Sequence, residues 1–580
     1  MTGGSGASRA SDLVLYASPA LMLTFSQDPK IAERQMHAII YYLTAFGHVD
    51  GDFDKAEKGF LREYIGRLVG ARAAQAMPDA DPALRGELVD KWTEHFREVA
   101  EGIDDEIKEN LAEPVADGED ASSFALSRLK LRCFELFQEF DDEGRKGLLA
   151  TAEELIAADG KVDAAEEKLR DEMLHLLDAP LSIREDDFEM VEEGSIVIEG
   201  AAKLPVQKPD HPFFSRTEWN YATDKETFAK QAEQDLEVIR KVQQRLSDHR
   251  GKGRGKLALG HTFGDFADDP PFLDGHVWVH HPRGKDYELL VLGDLHGCYS
   301  CLKAALLQAD FFEKVQRYHD SPDTEPNMLL VLLGDYIDRG RFSYNGILRT
   351  VLQLYLAVPD HVVPLRGNHE YYVELNGRIY GAVKPSEAMT ELKPIASEEL
   401  FAEYMRLFEA LPNMFVFDKL FFVHAGIPRD DTFEEKYLGL DSLNDYDMRF
   451  QMLWSDPTHA EIVPLELQKQ SARFAFGRRQ FQRFMHKIGC TTMIRGHERV
   501  VEGFKEIWSD PDARLLNLFS AGGKTNDDLP ADSNYREVTP MALTVKHRAG
   551  VTQLKPFVID YERFNDPQVN AFFRGQLAGA

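Results

Sequence analysis

The stretch that decides the fold of the second half of the chain is YELLVLGDLHG, residues 287–297. Its first six residues are mostly apolar and have the length of a buried strand. The run ends in Gly-Asp, and it delivers Asp294 and His296 directly after the strand. Because open α/β sheets build their sites at the carboxyl ends of strands, this segment predicts a site there.

Four later segments have the same pattern, in which an apolar run is followed closely by Asp, Asn, Arg or His. They are MLLVLLGDYIDRG (328–340), VVPLRGNHE (362–370), LFFVHAG (420–426) and TTMIRGH (491–497). Oxygen and imidazole ligands together suit Mn, Fe or Zn rather than Ca. A pair of such ions can lower the pKa of a bound water and stabilise a transferring phosphoryl group.

Each segment taken alone has an ordinary structural interpretation. A Gly-Asp after a strand is usually a turn, and a single buried histidine is usually a hydrogen-bonded core residue. Five segments in this order, with ligands, a candidate acid and a candidate phosphate-binding arginine, favour a catalytic site.

The five segments resemble the ordered motifs of the phosphoprotein phosphatase family, which belongs to the calcineurin-like metallophosphoesterases. The resemblance covers about residues 285–545. It implies an α/β domain with a β-sandwich flanked by helices, and a binuclear centre of two divalent metal ions, with Mn first and Fe or Zn as alternatives. The metal ligands that it implies are Asp294, His296, Asp335, Asn368, His424 and His497.

The resemblance also implies roles for other residues. His369 is the expected general acid, oriented by Asp338, and an imidazolium there would protonate a poor leaving group. The substrate-binding residues are expected to be Arg339, Asn368 and Arg473. Arg366, Glu370 and Arg495 are expected to anchor the loops through ion pairs.

Two departures from the family pattern stand out. Ala425 occupies a position where the family usually has glycine. The late segment FSAGGKTND (519–527) lacks the tyrosine that eukaryotic protein phosphatases carry in the corresponding loop.

The expected function is hydrolysis of phosphomonoesters by metal-activated water, with phosphoserine or phosphothreonine in proteins as substrate. GDYIDRGRFS, FEALPNMF (408–415) and LWSDP (453–457) resemble the protein serine/threonine phosphatases more closely than the dinucleoside-polyphosphate hydrolases. The alternatives are a hydrolase of a small phosphorylated molecule, such as a dinucleoside polyphosphate, and an inactive scaffold.

The first part of the chain reads as an all-α domain over residues 28–180, because apolar residues recur there at spacings of three and four. DGDFDKAE (50–57) and DGKVDAAE (159–166) repeat a motif. The repeat resembles the turns of the tellurite-resistance TerB-like helical domain. Helix capping explains it, with Asp54 and Asp163 as N-caps, and binding of a divalent cation is the alternative.

The remaining domain boundaries follow from changes in composition and in the hydrophobic pattern. Residues 1–27 are predicted to be a flexible N-terminus. Residues 181–260 are predicted to be a linker with short strands, one helix over 225–248, and a basic glycine-rich loop, HRGKGRGK (249–256). The catalytic domain is expected over 261–580.

Charge and cysteine content bear on partners and location. The net charge is −31, and the first 200 residues, with 44 acidic and 21 basic side chains, contribute −23 of it. This argues against nucleic-acid binding and favours a cation or a basic protein as partner of the helical domain, whose field would also repel an anionic substrate nearby.

The apolar run 13–25 is too short to span a membrane. Four scattered cysteines suit a reducing cytoplasm, and Cys298 and Cys301 are expected to be packing residues.

Overall fold

The computed structural model describes residues 25–26, 28–48, 55–78, 81–111, 121–138, 140, 144–149, 151, 164–178, 196–206, 208–218 and 225–573. The described residues fall into two compact units. The first holds helices that precede residue 180, and the second holds everything from residue 196 onward. The predicted flexible N-terminus over 1–27 lies almost wholly outside the described residues.

The first unit is helical, as the spacing of apolar residues predicts. Its helices are α1 (Pro29–Gly47), α2 (Lys55–Ala76), α3 (Pro82–Leu111), α4 (Ala121–Phe137) and α5 (Ala164–Asp178). The α1–α3 helices pack on one another, and Tyr42 of α1 meets Phe137 of α4 edge to face at 4.8 Å between ring centroids. Helices α2 and α5 begin directly after Asp54 and Asp163, where capping was predicted; the two Asp-Gly turns lie outside the described residues.

The second unit contains two large sheets. The strands are β1 (Ile196–Ile198), β2 (Ala202–Lys203), β3 (Phe272–Asp274), β4 (Val277–His280), β5 (Tyr287–Leu292), β6 (Asn327–Leu332), β7 (Val362–Pro364), β8 (Tyr372–Leu375), β9 (Arg378–Gly381), β10 (Met414–Phe417), β11 (Leu420–Val423), β12 (Asp456–Pro457), β13 (Ala475–Phe476), β14 (Thr492–Arg495), β15 (Phe504–Asp510), β16 (Ala513–Leu518), β17 (Met541–Arg548) and β18 (Val551–Val558).

The helices of the second unit are α6 (Phe214–Thr217), α7 (Lys225–Gly253), α8 (Tyr299–Gln308), α9 (Phe311–Asp320), α10 (Arg349–Ala357), α11 (Glu387–Leu392), α12 (Glu398–Ala410), α13 (Asp430–Lys436), α14 (Tyr446–Gln451), α15 (Leu465–Gln468) and α16 (Arg478–Ile488). A π-helical turn, Ser343–Leu348, leads into α10. Among the described residues, no helix is both long and apolar enough to cross a lipid bilayer.

The two sheets pack face to face as a β-sandwich. In the described residues the first runs β1-β18-β17-β5-β6-β7, with β2 beside β18, and the second runs β15-β16-β14-β11-β10-β4-β3. One core joins them, in which Leu290 and Val291 of the first sheet share a cluster with Phe415, Phe422 and others of the second. A second core covers the far face of the second sheet beneath α16. The predicted sandwich flanked by helices is confirmed.

The packing does not match the predicted linker over 181–260. Strand β1 pairs in parallel with β18, and α7 buries Ile239, Val242 and Leu246 in the core between sheets and helices. The predicted loop 249–256 is wrong in its first part, because α7 continues to Gly253. Arg250 holds the end of this helix, since its guanidinium donates to the carbonyl oxygens of Gly275 and Ala410.

Candidate metal centre and active site

Each of the five predicted segments does form a strand, and each delivers its polar residues just past the strand's end. Asp294 follows β5, Asp335 follows β6, Asn368 follows β7, His424 follows β11, and His497 follows β14. The isolated bridge between Asp294 and Phe519, after β16, ties the two sheets together at this edge. The site therefore lies at the carboxyl ends of strands from both sheets, as the sequence predicts.

Asp294, His296 and Asp335 form the first group of candidate ligands. His296 Nε2 lies 3.8 Å from Asp294 Oδ2 and 3.4 Å from Asp335 Oδ2. The other ring nitrogen, Nδ1, lies 3.0 Å from the carbonyl oxygen of Ile337. A proton on Nδ1 that bonds to this carbonyl leaves a lone pair on Nε2 facing the carboxylates, which is how histidines are oriented toward metals.

The second group is Asp335, Asn368, His424 and His497. His424 Nε2 lies 3.4 Å from Asp335 Oδ1, 3.0 Å from Asn368 Oδ1 and 3.1 Å from His497 Nδ1. His424 Nδ1 lies 3.0 Å from the carbonyl oxygen of Leu333, which again directs the Nε2 lone pair inward. Asp335 thus presents Oδ2 to the first group and Oδ1 to the second.

Burial shifts the pKa values of the candidate ligands. Burial raises the pKa of Asp294 to about 7, and burial with Asp294 and Glu370 nearby raises the pKa of Asp335 well above its usual range. Burial lowers the pKa of His296 and His424, so these rings are neutral. Asp294 Oδ2 is buried without a hydrogen-bond partner.

Buried acids with neutral imidazoles are the setting that divalent ions stabilise, because the ion compensates the carboxylate charge and accepts the ring lone pairs. The donor set therefore fits a pair of divalent ions with Asp335 between them. It contains no thiolate and includes three imidazoles, which suits Mn, Fe or Zn better than Ca.

The backbone at this edge is held in unusual conformations. Five of the predicted site residues have positive φ: His296 (40°), Asp335 (53°), Asp338 (68°), Arg339 (66°) and His497 (70°). Such strain in residues other than glycine is concentrated at functional sites. Two glycines allow close approach, since a Cβ at Gly367 would lie 2.2 Å from Asp335 Oδ1 and one at Gly496 would lie 2.1 Å from Asp294 Oδ1.

His369 and Asp338 form a buried pair beside the candidate ligands. His369 Nδ1 lies 2.7 Å from Asp338 Oδ2, while His369 Nε2 lies 3.9 Å from Asp335 Oδ2. Burial, Arg339 and Arg473 together hold the pKa of His369 well below its usual range. The contact with Asp338 orients the ring with its Nε2 toward the site. This is the orientation expected of a general acid.

Arg339 reaches the site, but a carboxylate already contacts it. Its Nη1 donates to Glu387 Oε1 and Oε2 at 2.6 and 2.7 Å and to the carbonyl oxygen of Pro385 at 2.9 Å. Tyr535 lies next to this arginine, and its ring lies 5.3 Å from that of His296. The predicted phosphate-binding arginine thus has an acidic partner.

Arg473 also faces the centre. Its Nε donates to Asp456 Oδ2 at 2.7 Å, and its charge contributes to lowering the pKa of both His369 and His497. Asp456 Oδ1 accepts a hydrogen bond from Arg495 Nη2 at 2.9 Å. Arg473 and Arg339 both act on His369, so an anion bound beside this histidine would be attracted by both charges.

Arg366 and Arg495 form the predicted ion pairs, whereas Glu370 anchors its loop through backbone hydrogen bonds. Glu370 accepts hydrogen bonds from the backbone N–H groups of Asp335 and Tyr336 at 2.7 and 2.8 Å. The Arg366 side chain pairs with Glu409, and Arg495 Nη1 pairs with Glu498. Ala425 is fully buried, and its carbonyl oxygen accepts from Arg495, so the methyl group at this position is accommodated. Cys298 and Cys301 are buried free thiols, as expected.

Three residues at the site were not predicted as functional. Asp456 was visible in LWSDP, yet nothing in the sequence pairs it with Arg473. Glu387 and Tyr535 lie 48 and 196 positions after Arg339, at the start of α11 and in a later turn, in segments without a motif. Tyr535, from a later turn, lies beside His296, with 5.3 Å between the two ring centroids.

Comparison with known proteins agrees with this geometry. The family model described as calcineurin-like phosphoesterase matches residues 287–500, which span β5 to the segment after β14. This chain contains a calcineurin-like phosphoesterase domain. The domain is similar to proteins named as serine/threonine phosphatases: it is 30% identical over 239 residues to a probable one from Encephalitozoon cuniculi, and 27% identical over 240 residues to the phosphatase 4 catalytic subunit of Kluyveromyces lactis.

These alignments cover 40% and 41% of this chain, and 47% and 70% of the two relatives. The chain thus spans about half of the first relative. A solved phosphatase structure from Saccharomyces cerevisiae is 18% identical, with a TM-score of 0.35 over 55% of this chain and 90% of the other. At that score the likeness adds nothing to the assignment. The resemblance of residues 30–180 to TerB-like domains is not confirmed.

Proposed function

We propose that the calcineurin-like domain hydrolyses phosphomonoesters with two divalent metal ions, and that its substrates are phosphoserine and phosphothreonine in proteins. The observation that supports this most directly is the position of Asp335. One oxygen lies 3.4 Å from His296 Nε2, and the other lies 3.4 Å from His424 Nε2. Such a carboxylate can bridge a pair of ions.

In the proposed site, Asp294, His296 and Asp335 hold one ion, and Asp335, Asn368, His424 and His497 hold the other. Ions held there would lower the pKa of a water nucleophile and neutralise phosphoryl charge. We expect manganese to activate best in vitro, with iron or zinc as alternatives, because the donors mix oxygen and imidazole nitrogen.

The protein's own groups would act on the phosphoryl oxygens and the leaving group. Arg339 and Arg473 would bind the phosphoryl oxygens. Burial is the largest cause of the low pKa of His369, and a bound phosphate would offset only the smaller contribution of the two arginines. In its protonated form, oriented by Asp338, the imidazole would donate its proton to the leaving oxygen.

The protein substrate is supported by the names of the similar proteins, which are serine/threonine phosphatases. Side-by-side assays with a phosphoserine peptide, p-nitrophenyl phosphate and a dinucleoside tetraphosphate would test it, with Asp335→Asn as the control for contaminating phosphatase. We expect the peptide to have the highest kcat/KM. A preference for the dinucleotide would replace the protein substrate with a small molecule, and no hydrolysis of any would indicate a scaffold.

A further inference from the structure

A cavity of about 560 Å³ lies at the end of the β-sandwich opposite the metal centre. It is lined by Tyr287 and Asn327, the first residues of β5 and β6, whereas Asp294 and Asp335 follow the last residues of the same strands. Six residues at about 3.3 Å each place the two sites roughly 20 Å apart. The volume is in the usual range for a small-molecule site.

The rim of this cavity is basic in a strongly acidic protein. Lys252 in the last turn of α7, and Arg283 and Lys285 in the turn after β4, line it and are exposed. None of the three forms an ion pair with a described residue, and one carboxylate, Asp360, shares the rim. Three unpaired cations around one opening favour an anionic ligand.

The wall of the cavity is aromatic. Trp278 and Tyr287 are buried, with 7% and 6% of their surface exposed, and Tyr318 is half-buried at the edge. His249 packs edge to face on Trp278 at 5.4 Å. Flat apolar walls beside cations suit a ligand that has a ring as well as a charged group.

The wall also offers hydrogen-bonding groups. Asn327 is 8% exposed, and its Oδ1 is buried without a donor. His280 Nε2 lies 2.9 Å from the hydroxyl of Tyr287, and burial lowers the pKa of His280 to about 3, so this ring is neutral. This wall is therefore polar but uncharged beside the aromatic side chains.

We propose that this cavity binds a nucleotide: a phosphate group at Lys252, Arg283 and Lys285, and a base against Trp278 and Tyr287. The residues from α7 and from 271–285 lie before the matched phosphoesterase segment, which begins at residue 287. The site therefore combines the domain with the chain that precedes it, and it does not depend on the metal ligands.

Calorimetry with ADP on the full-length protein in EDTA tests this, because removing metal suppresses binding at the phosphoesterase centre. Adenosine and pyrophosphate serve as the two half-ligands. We expect ADP to bind more tightly than either, with quenching of tryptophan emission that is lost in Trp278→Phe. The combined variant Lys252→Ala, Arg283→Ala, Lys285→Ala should weaken ADP binding about tenfold or more, and added salt should weaken it in the parent protein.

The matched control is Lys505→Ala, an exposed lysine on β15 that does not line the cavity. It should bind ADP like the parent protein. The proposal is overturned if ADP does not bind, if the triple variant binds it unchanged, or if pyrophosphate binds as tightly as ADP. These outcomes are independent of phosphatase activity, which is measured separately with p-nitrophenyl phosphate.

Discussion

Nδ1 of His369 lies 2.7 Å from Oδ2 of Asp338, and both side chains are buried beside the candidate metal ligands. The other oxygen of Asp338 accepts a hydrogen bond from the backbone N–H of Ala388 at 2.9 Å. The carboxylate is thus fixed from two sides, and it fixes the ring. His369 can turn only its Nε2 toward a bound substrate.

This arrangement predicts a catalytic defect without loss of metal. His369→Asn should lower kcat by about 10²–10⁴, the usual contribution of a positioned acid, while metal content stays at the parent level. Turnover of a phosphopeptide and metal analysis of the same sample check both parts. Asp338→Asn, which removes the orienting charge and one of the two hydrogen-bond acceptors, should also lower kcat while metal is retained. A metal-free His369 variant would assign this residue to the ligands instead.

The contact between Glu387 and Arg339 predicts that mutation of Glu387 strengthens phosphate binding. Glu387→Gln should free the guanidinium for phosphate and lower the inhibition constant of inorganic phosphate by about two- to fivefold, the scale of a partly exposed ion pair. Glu391→Gln, in the same helix but without a contact to Arg339, is the control. Equal phosphate inhibition of parent and Glu387 variant would mean that Arg339 does not bind the phosphoryl group.

Tyr535 should influence substrate binding more than chemistry. Its hydroxyl lies next to Arg339, so Tyr535→Phe is expected to raise KM a few-fold with kcat nearly unchanged. Tyr535→Ala also removes the ring beside His296 and should have a larger effect. Steady-state kinetics on a phosphopeptide distinguish the two. A Tyr535→Phe variant with unchanged KM would show that this hydroxyl does not help to hold Arg339.

The packing of α7 predicts where the chain can be shortened. A chain that begins at Gly260 loses Ile239, Val242 and Leu246 from the core, and at about 1.5–3 kcal/mol for each buried side chain it should unfold at a much lower temperature. A chain that begins at Ser195 keeps α7 and should retain the parent melting transition of the second unit. Thermal unfolding followed by circular dichroism compares them, and equal stability would mean that α7 is dispensable.

The chain that begins at Ser195 also tests the predicted role of the acidic helices. If their field repels anionic substrates, this shorter chain should have a higher kcat/KM at low salt, and the difference should shrink as salt is added. Equal values at low salt would exclude that inhibition.

The strand pattern was sufficient to predict the edge that holds the site, because each contributing strand is short, apolar and followed closely by its functional residue. Asp294 and Asp335 are therefore adjacent to their strands in the chain as well as in space. The sandwich itself was implied by the resemblance to the phosphoprotein phosphatases. Glu387 and Tyr535 reach Arg339 through loops whose course depends on packing, so no local pattern reveals them. The predicted helix was shorter than α7, because HRGKGRGK has the composition of a loop. Two distant carbonyl groups accept hydrogen bonds from Arg250 and stabilise the last turn of this helix.

Asp335→Asn, measured for bound metal and for phosphopeptide hydrolysis alongside the parent protein, tests the two-metal phosphatase most directly. The parent protein should bind two divalent ions per chain, lose activity in EDTA, and regain it best with manganese. The Asp335 variant should lose both the ions and the activity, because its carboxylate faces both groups of ligands. Undiminished hydrolysis by metal-free parent protein, or by an Asp335 variant that still binds two ions, would contradict it.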